Sequence, residues 1–253
     1  MSDVLVEQAG AVAVVTLNRP QRRNAISSGL LAALRGALAE LDASEQVGAI
    51  VLTGADPAFC AGLDLGELGE PGNALAASAH LGRPWPELHT PLLGAINGPA
   101  VTGGLELALT CDFLIASEQA SFADTHARVG IQPGWGLTVL LPEAVGLRRA
   151  RELSGTGNFI GARTALEWGL VNHVVPHAEL LGYACGLAAD IASNDRSAVT
   201  ALYSTYRQGA LVTGAEAAAL ELRAHASWRG GRIDHAQVAG RRAGVIDRGR
   251  SRA

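Results

Sequence analysis

Apolar positions at the start of the chain switch from strand-like alternation to helical spacing. Residues 4–8 and 11–18 alternate around Ala9-Gly10, which predicts a β-hairpin. Arg19-Pro20-Gln21-Arg22-Arg23 breaks that pattern. Leu30, Leu31, Leu34, Leu38 and Leu41 then recur on one helical face, and Asn24 or Ser27 can cap that helix. Residues 48–53 (GAIVLT) are apolar throughout, as expected of a strand buried on both sides. Strand, helix and buried strand in this order predict parallel pairing through right-handed crossovers.

The pattern continues in the same style. Residues 92–96 read as a buried strand that turns at Asn97-Gly98-Pro99, and Gly103-Gly104 then opens an apolar helix carrying one acid, Glu106. Earlier, residues 54–64 end in a Gly62-Leu63-Asp64 turn that starts a short helix. Residues 67–89 are rich in Gly, Pro and Ala with weak periodicity, which suits a lid. Residues 113–116 and 170–175 read as strands, residues 121–136 as a polar, turn-rich stretch, and residues 137–154 and 161–168 as helices. After Pro176 the spacing is helical over residues 177–194, 197–208 and 214–228, with a fourth helix near 234–242. The expected architecture is an α/β core over residues 1–192 followed by a helical segment over 193–253.

Composition narrows the class. The chain has 253 residues, enough for a sizeable core, and is 48% hydrophobic but only 4% aromatic, so Ala, Leu and Val build the interior. Its 31 glycines suggest many tight turns rather than a bundle of long helices. A net charge of -4 and a pI near 6.0 argue against a nucleic-acid partner. The basic tail (Arg241, Arg242, Arg248, Arg250 and Arg252) reads as a solvated terminus past Asp247. Cys60, Cys111 and Cys185 show no metal-ligand spacing and fit reduced thiols in a cytoplasmic protein. No apolar run approaches the ~20 residues of a membrane span, and neither a P-loop nor a GxGxxG pattern is present.

The central stretch carries the candidate chemistry. N–H groups in the first turn of a helix lack intrahelical partners, so the Gly103-Gly104 turn can hold an oxygen that becomes negative during a reaction. Glu106 lies one turn further on among Leu105, Leu107, Ala108 and Leu109; it reads either as a carboxylate paired with an arginine inside a core helix or, as favoured here, as a poorly solvated carboxyl suited to proton transfer near neutrality. His126 reads either as a loop imidazole bonded to backbone or as a second acid/base, since imidazole titrates near neutral pH. Asp124 can orient His126 or start a turn, and the turn is the expected role. Trp135 is expected to pack against a substrate pocket or the core. Arg22 and Arg23 read as a solvated turn or a phosphate contact. His80 and His89 are assigned no chemistry.

Four separated segments line up with one known pattern: residues 17–25 (LNRPQRRNA), 58–64 (AFCAGLD), 96–112 (INGPAVTGGLELALTCD) and 129–136 (VGIQPGWG). In order and spacing they resemble the enoyl-CoA hydratase/isomerase, or crotonase, superfamily, over about residues 4–180. The resemblance implies a spiral of ββα units with a C-terminal helical trimerisation segment, in trimers often paired into hexamers. It implies an acyl-CoA thioester substrate and no cofactor beyond the coenzyme A of the substrate itself. The backbone N–H groups of Leu63 and Gly103 would form the oxyanion hole. Arg23, Asn24, Ala25, Ala61, Asp64 and Leu65 would lie along the coenzyme A. Glu106 matches the first of two glutamates typical of hydratases, whereas His126 stands at the position of the second. The expected reaction is hydration of trans-2-enoyl-CoA to 3-hydroxyacyl-CoA, shared between Glu106 and His126. The alternatives are a double-bond isomerase, for which one glutamate suffices, and an acyl-CoA-binding member with little turnover.

Overall fold

The computed structural model describes residues 2–68 and 82–210, with residues 212, 216, 219, 223 and 227 beyond them. The chain divides into two compact units, Met1–Arg196 and Ser197–Ala253. The described strands, in chain order, are Val4–Ala9 (β1), Val12–Leu17 (β2), Ala49–Gly54 (β3), Leu92–Ile96 (β4), Pro99–Val101 (β5), Phe113–Ser117 (β6), Ser121–Ala123 (β7), Ile160–Gly161 (β8) and His173–Val175 (β9).

In the first unit the predicted hairpin pairs β1 with β2 antiparallel, from Val4 opposite Leu17 to Ala9 opposite Val12. β3, β4, β6 and β9 then add in parallel, giving the order β1-β2-β3-β4-β6-β9. Every residue of β3 is buried because both faces of the sheet are covered. Ile50 and Leu52 point into the main core with Leu30, Leu34 and Leu38 of the Ser28–Ala43 helix. Ala49 and Val51, one residue out of phase, pack with Leu93, Ala95 and Ile115 against Leu180, Ala184 and Ala188 of the Leu180–Ala192 helix. The Ser28–Ala43 helix starts where Ser27 accepts the Leu30 N–H at 3.0 Å, so Ser27 rather than Asn24 is the cap.

A second sheet lies beside the first, with β5 parallel to β7 and β7 antiparallel to β8. Isolated parallel bridges, Ile26 to Leu63 and Cys60 to Ala100, link residues of earlier turns in the same way. The chain therefore repeats one move. β4 passes to β5 and then to the Gly103–Leu109 helix, and β6 passes to β7 and then to the His126–Val129 helix. This is the expected ββα spiral, and it brings the ends of successive turns side by side.

Several boundaries differ from expectation. The helix expected over residues 137–154 is two helices, Leu137–Val145 and Leu147–Thr156, broken at Gly146, whose φ of 80 with ψ of 152 lies outside helical space. The strand expected over 170–175 is only His173–Val175, while Leu170 and Val171 are buried in the core ahead of it. β5 and β7, of three residues each, had not been expected. The lid expected over residues 67–89 falls partly on 69–81, which lie outside the described residues, as does His80. In the described remainder Trp85 is buried, and the Pro84 carbonyl accepts Arg35 Nε at 2.6 Å. The second unit begins within the Arg196–Gly209 helix. The helix near 234–242, most of 214–228 and the tail arginines also lie outside the described residues. No described helix is long and apolar enough to cross a membrane.

Candidate active site

Two segments the chain visits at different times run side by side. The Ala61 N–H donates to the Arg23 carbonyl at 3.0 Å, Ile26 to Gly62 at 2.8 Å and Asp64 to Ile26 at 2.9 Å. In such a parallel ladder the residue between two bonded positions turns its N–H the other way, so Leu63 presents its N–H away from Ile26. On that other side lies Gly103. A Cβ built on Gly103 would meet Leu63 Cγ and Cδ2 at 3.4 Å, and one on Gly62 would meet Gly103 N at 3.7 Å. Neither the Leu63 nor the Gly103 N–H donates a backbone hydrogen bond within the described residues.

The close approach depends on glycine at two points. Gly62 sits at φ 101, in the left-handed half of backbone space. At Gly104 a Cβ would overlap the Cys60 carbonyl oxygen, so the helix can sit against the 60–63 segment only without a side chain there.

Glu106 is 2% exposed, and its Oε1 accepts the N–H groups of Gly134 at 3.1 Å and Trp135 at 2.8 Å. Its Oε2 faces His126 Nε2 at 3.5 Å. His126, also buried, gives its other nitrogen, Nδ1, to Asp124 Oδ1 at 2.6 Å. The same Asp124 oxygen accepts the His126 backbone N–H at 3.1 Å. Asp124 therefore makes the expected turn and orients the imidazole as well. Burial works against charge on His126, but hydrogen bonds and charge from Asp124 and Glu106 outweigh it and push its pKa up to about 9. Burial also works to raise the Asp124 carboxyl, yet His126 and Ser154 hold it below the usual carboxylate range. The site is a row in which the His126 ring lies between the Glu106 and Asp124 carboxyl groups, with Nε2 toward Glu106.

The residues assigned to coenzyme A occupy the paired segments. Arg23 is exposed at φ 49, and Ala25, Ala61 and Asp64 are half-buried. Asn24 is fully buried: its amide donates to the carbonyls of Ala55 at 2.8 Å and Ala58 at 2.7 Å and accepts the Arg19 N–H at 2.9 Å. Its side chain shapes the loop from within. Asp64 accepts Nη1 and Nη2 of Arg19 at 3.2 Å, and Arg19 Nη1 also donates to the Ala25 carbonyl at 2.6 Å. Leu65 opens the short Leu65–Leu68 helix. Arg22 borders a surface depression of about 310 Å³ with Asp3, Asn18 and Arg19. Trp135 is buried in the main core, and its N–H holds Glu106.

Sequence reasoning missed Arg19, which ties Ala25 to Asp64 across the two paired segments, and the backbone donors of Gly134 and Trp135. Backbone donors leave no residue-type signal, and the Arg19–Asp64 pair spans 45 positions. The cysteines are free, with Cys60 and Cys111 buried. Burial pushes the Cys60 thiol up to about 12 and Cys111 well above the ordinary thiol range.

The comparisons with known proteins agree with this fold. The sequence profile of the enoyl-CoA hydratase/isomerase family matches residues 7–233. The chain is 37% identical over 233 residues to a probable peroxisomal enoyl-CoA hydratase of Arabidopsis thaliana, covering 88% of this chain and 86% of that one. It is 37% identical to the short-chain-enoyl-CoA hydratase of Clostridium acetobutylicum, over 79% and 78% of the two chains. Among solved structures, an enoyl-CoA hydratase from Mycobacterium paratuberculosis is 49% identical with a TM-score of 0.76, over 88% of this chain and 96% of that one. One from Bacillus anthracis superposes with a TM-score of 0.83 at 36% identity, over 88% and 89%. With the ββα spiral, the facing Leu63 and Gly103 backbone and these matches together, the chain belongs to the enoyl-CoA hydratase/isomerase family.

Proposed function

We propose that the protein is an enoyl-CoA hydratase that adds water to trans-2-enoyl-CoA to give 3-hydroxyacyl-CoA. The observation that carries this reading is the buried 3.5 Å pair of Glu106 Oε2 and His126 Nε2, two proton-transfer groups with different partners. Hydration needs one group to take a proton from water and another to give one to carbon. The thioester oxygen lies between the N–H groups of Leu63 and Gly103, and the acyl chain extends past Glu106 and His126.

In this reading the Glu106 carboxylate, fixed by the Gly134 and Trp135 N–H groups, takes a proton from water as its oxygen bonds to the β carbon. The π electrons move toward the thioester, and the two backbone donors hold the resulting enolate oxygen. His126, protonated at neutral pH by its pKa of about 9, delivers the Nε2 proton to the α carbon. Proton return from Glu106 to His126 across the same contact restores the site. Atoms balance: one water enters, and one hydrogen and one hydroxyl leave on the product.

Arg23, Asn24, Ala25, Ala61, Asp64 and Leu65 would line the coenzyme A. The same reading has the protein working in the cytoplasm on free acyl-CoA, as a homotrimer or hexamer. Reduced, unpaired cysteines support the first point; cell fractionation and light scattering test the two. For the reaction, loss of enoyl-thioester absorbance is followed with crotonyl-CoA and a longer trans-2-enoyl-CoA. Turnover that collapses in Glu106→Gln and His126→Ala supports hydration by this pair, whereas His126→Ala with full activity would sink it.

A further inference from the structure

Thr102 stands immediately before Gly103 and adopts φ 55 and ψ -113. That is the first central position of a type II′ turn, where glycine is favoured. For a β-branched residue it is an outlier held only by its surroundings. The surroundings here are specific. The Thr102 N–H donates to the Ala123 carbonyl at 2.9 Å. Its Oγ1 accepts the Thr125 N–H at 3.2 Å and shares a short hydrogen bond with Thr125 Oγ1. Glycine would reach this backbone without strain, so the feature that threonine adds is the hydroxyl. Thr125 in turn stands immediately before His126.

We propose that Thr102 and Thr125 form a hydroxyl clamp that aims the Gly103 N–H at the thioester oxygen and holds it in register with His126. The peptide plane between residues 102 and 103 is rigid, so ψ at Thr102 sets the direction of the Gly103 N–H. A clamp to Thr125 fixes that torsion from the same segment that places the imidazole. The oxyanion donor and the proton donor, from separate turns of the spiral, then share one anchor. Both threonines are positioning residues, and the proposal rests on the oxyanion role assigned above to Gly103.

The test uses the infrared carbonyl stretch of bound butyryl-CoA labelled with ¹³C at the thioester carbon. This saturated thioester is not hydrated, so its band reports the oxyanion hole independently of turnover. In the wild type the band is expected below that of the free thioester. Thr125→Val is expected to return it toward the free value and to lower kcat for crotonyl-CoA by about tenfold to a hundredfold, with KM within about threefold. Thr125→Ser restores both. Adding Thr102→Gly to Thr125→Val restores the band at least in part, because glycine adopts that torsion without the strain that threonine bears. A band unmoved by Thr125→Val, or one that neither rescue restores, overturns the clamp, whatever happens to thermal stability. A wild type that shifts the carbonyl yet hydrates no enoyl-CoA would overturn the hydratase reading and leave the clamp standing.

Discussion

His126 Nε2 lies 3.5 Å from Glu106 Oε2 while its Nδ1 lies 2.6 Å from Asp124 Oδ1. A buried imidazole thus stands between two carboxylates and differs in its contact with each. The tight contact orients the ring, and the looser one is the contact that the proposed hydration uses. That asymmetry separates an orienting acid from a reacting one, and it makes the site open to selective tests.

Glu106→Gln should lower kcat by about 10²- to 10⁴-fold with little change in folding. The amide oxygen can still accept the Gly134 and Trp135 N–H groups, so the position of the side chain survives while its proton transfer does not. Single-turnover hydration of crotonyl-CoA, alongside far-UV circular dichroism, checks both halves.

Activity should fall on the alkaline side with a midpoint near pH 9, as His126 loses its proton. Asp124→Asn removes the charge held against Nδ1, so the midpoint should move down toward the ordinary imidazole value of 6.5. The sign for stability is the same. A pKa raised from 6.5 to about 9 contributes stability that is complete below pH 6.5 and lost as pH climbs through 9. The urea midpoint of the wild type should therefore drop across that window, and that of Asp124→Asn should drop less.

Gly104→Ala should destabilise the fold by about 1–3 kcal/mol or more and lower activity together with it. The added methyl meets the Cys60 carbonyl, which is backbone and cannot swing aside. The helix carrying Glu106 must back away from the 60–63 segment, separating Gly103 from Leu63. Denaturant melts measured beside kcat would show the two losses tracking each other.

Asn24→Ala should cost about 2 kcal/mol, because it leaves the Ala55 carbonyl and the Arg19 N–H without their side-chain partner and the Ala58 carbonyl with only the longer bond from Asn97. The loop it ties also carries Arg23 and Ala25, so KM for acyl-CoA should rise more than kcat falls. Steady-state kinetics over a range of crotonyl-CoA concentrations checks the split.

Much of this arrangement was legible from the residues. The Leu30 to Leu41 stripe and the unbroken GAIVLT run announce a helix and a doubly covered strand, because burial imposes a period on side chains. Glu106 stood out as one acid in an apolar helix. What escaped had no period to show. β5 and β7 are too short at three residues each, and Gly146 splits a helix whose apolar spacing runs through the break. The second role of Asp124 depends on a side-chain rotamer, and the Thr102–Thr125 contact joins residues 23 apart. Such contacts are set by the crossing of spiral turns and leave no local mark.

Burial of Cys60 has a consequence for chemical durability. An enoyl thioester is an electrophile at its β carbon, and the species that attacks such a carbon is a thiolate. A thiol raised to about 12 stays protonated at every physiological pH. Cys60, whose carbonyl packs on the helix that carries Glu106, is therefore a poor target for alkylation by the very compound the site is proposed to bind. The chain's 20 basic side chains are all arginine, so it also offers no lysine amine to acylate. A protein handling reactive thioesters at high occupancy would thus meet them with no ready thiolate at Cys60 and no lysine amine.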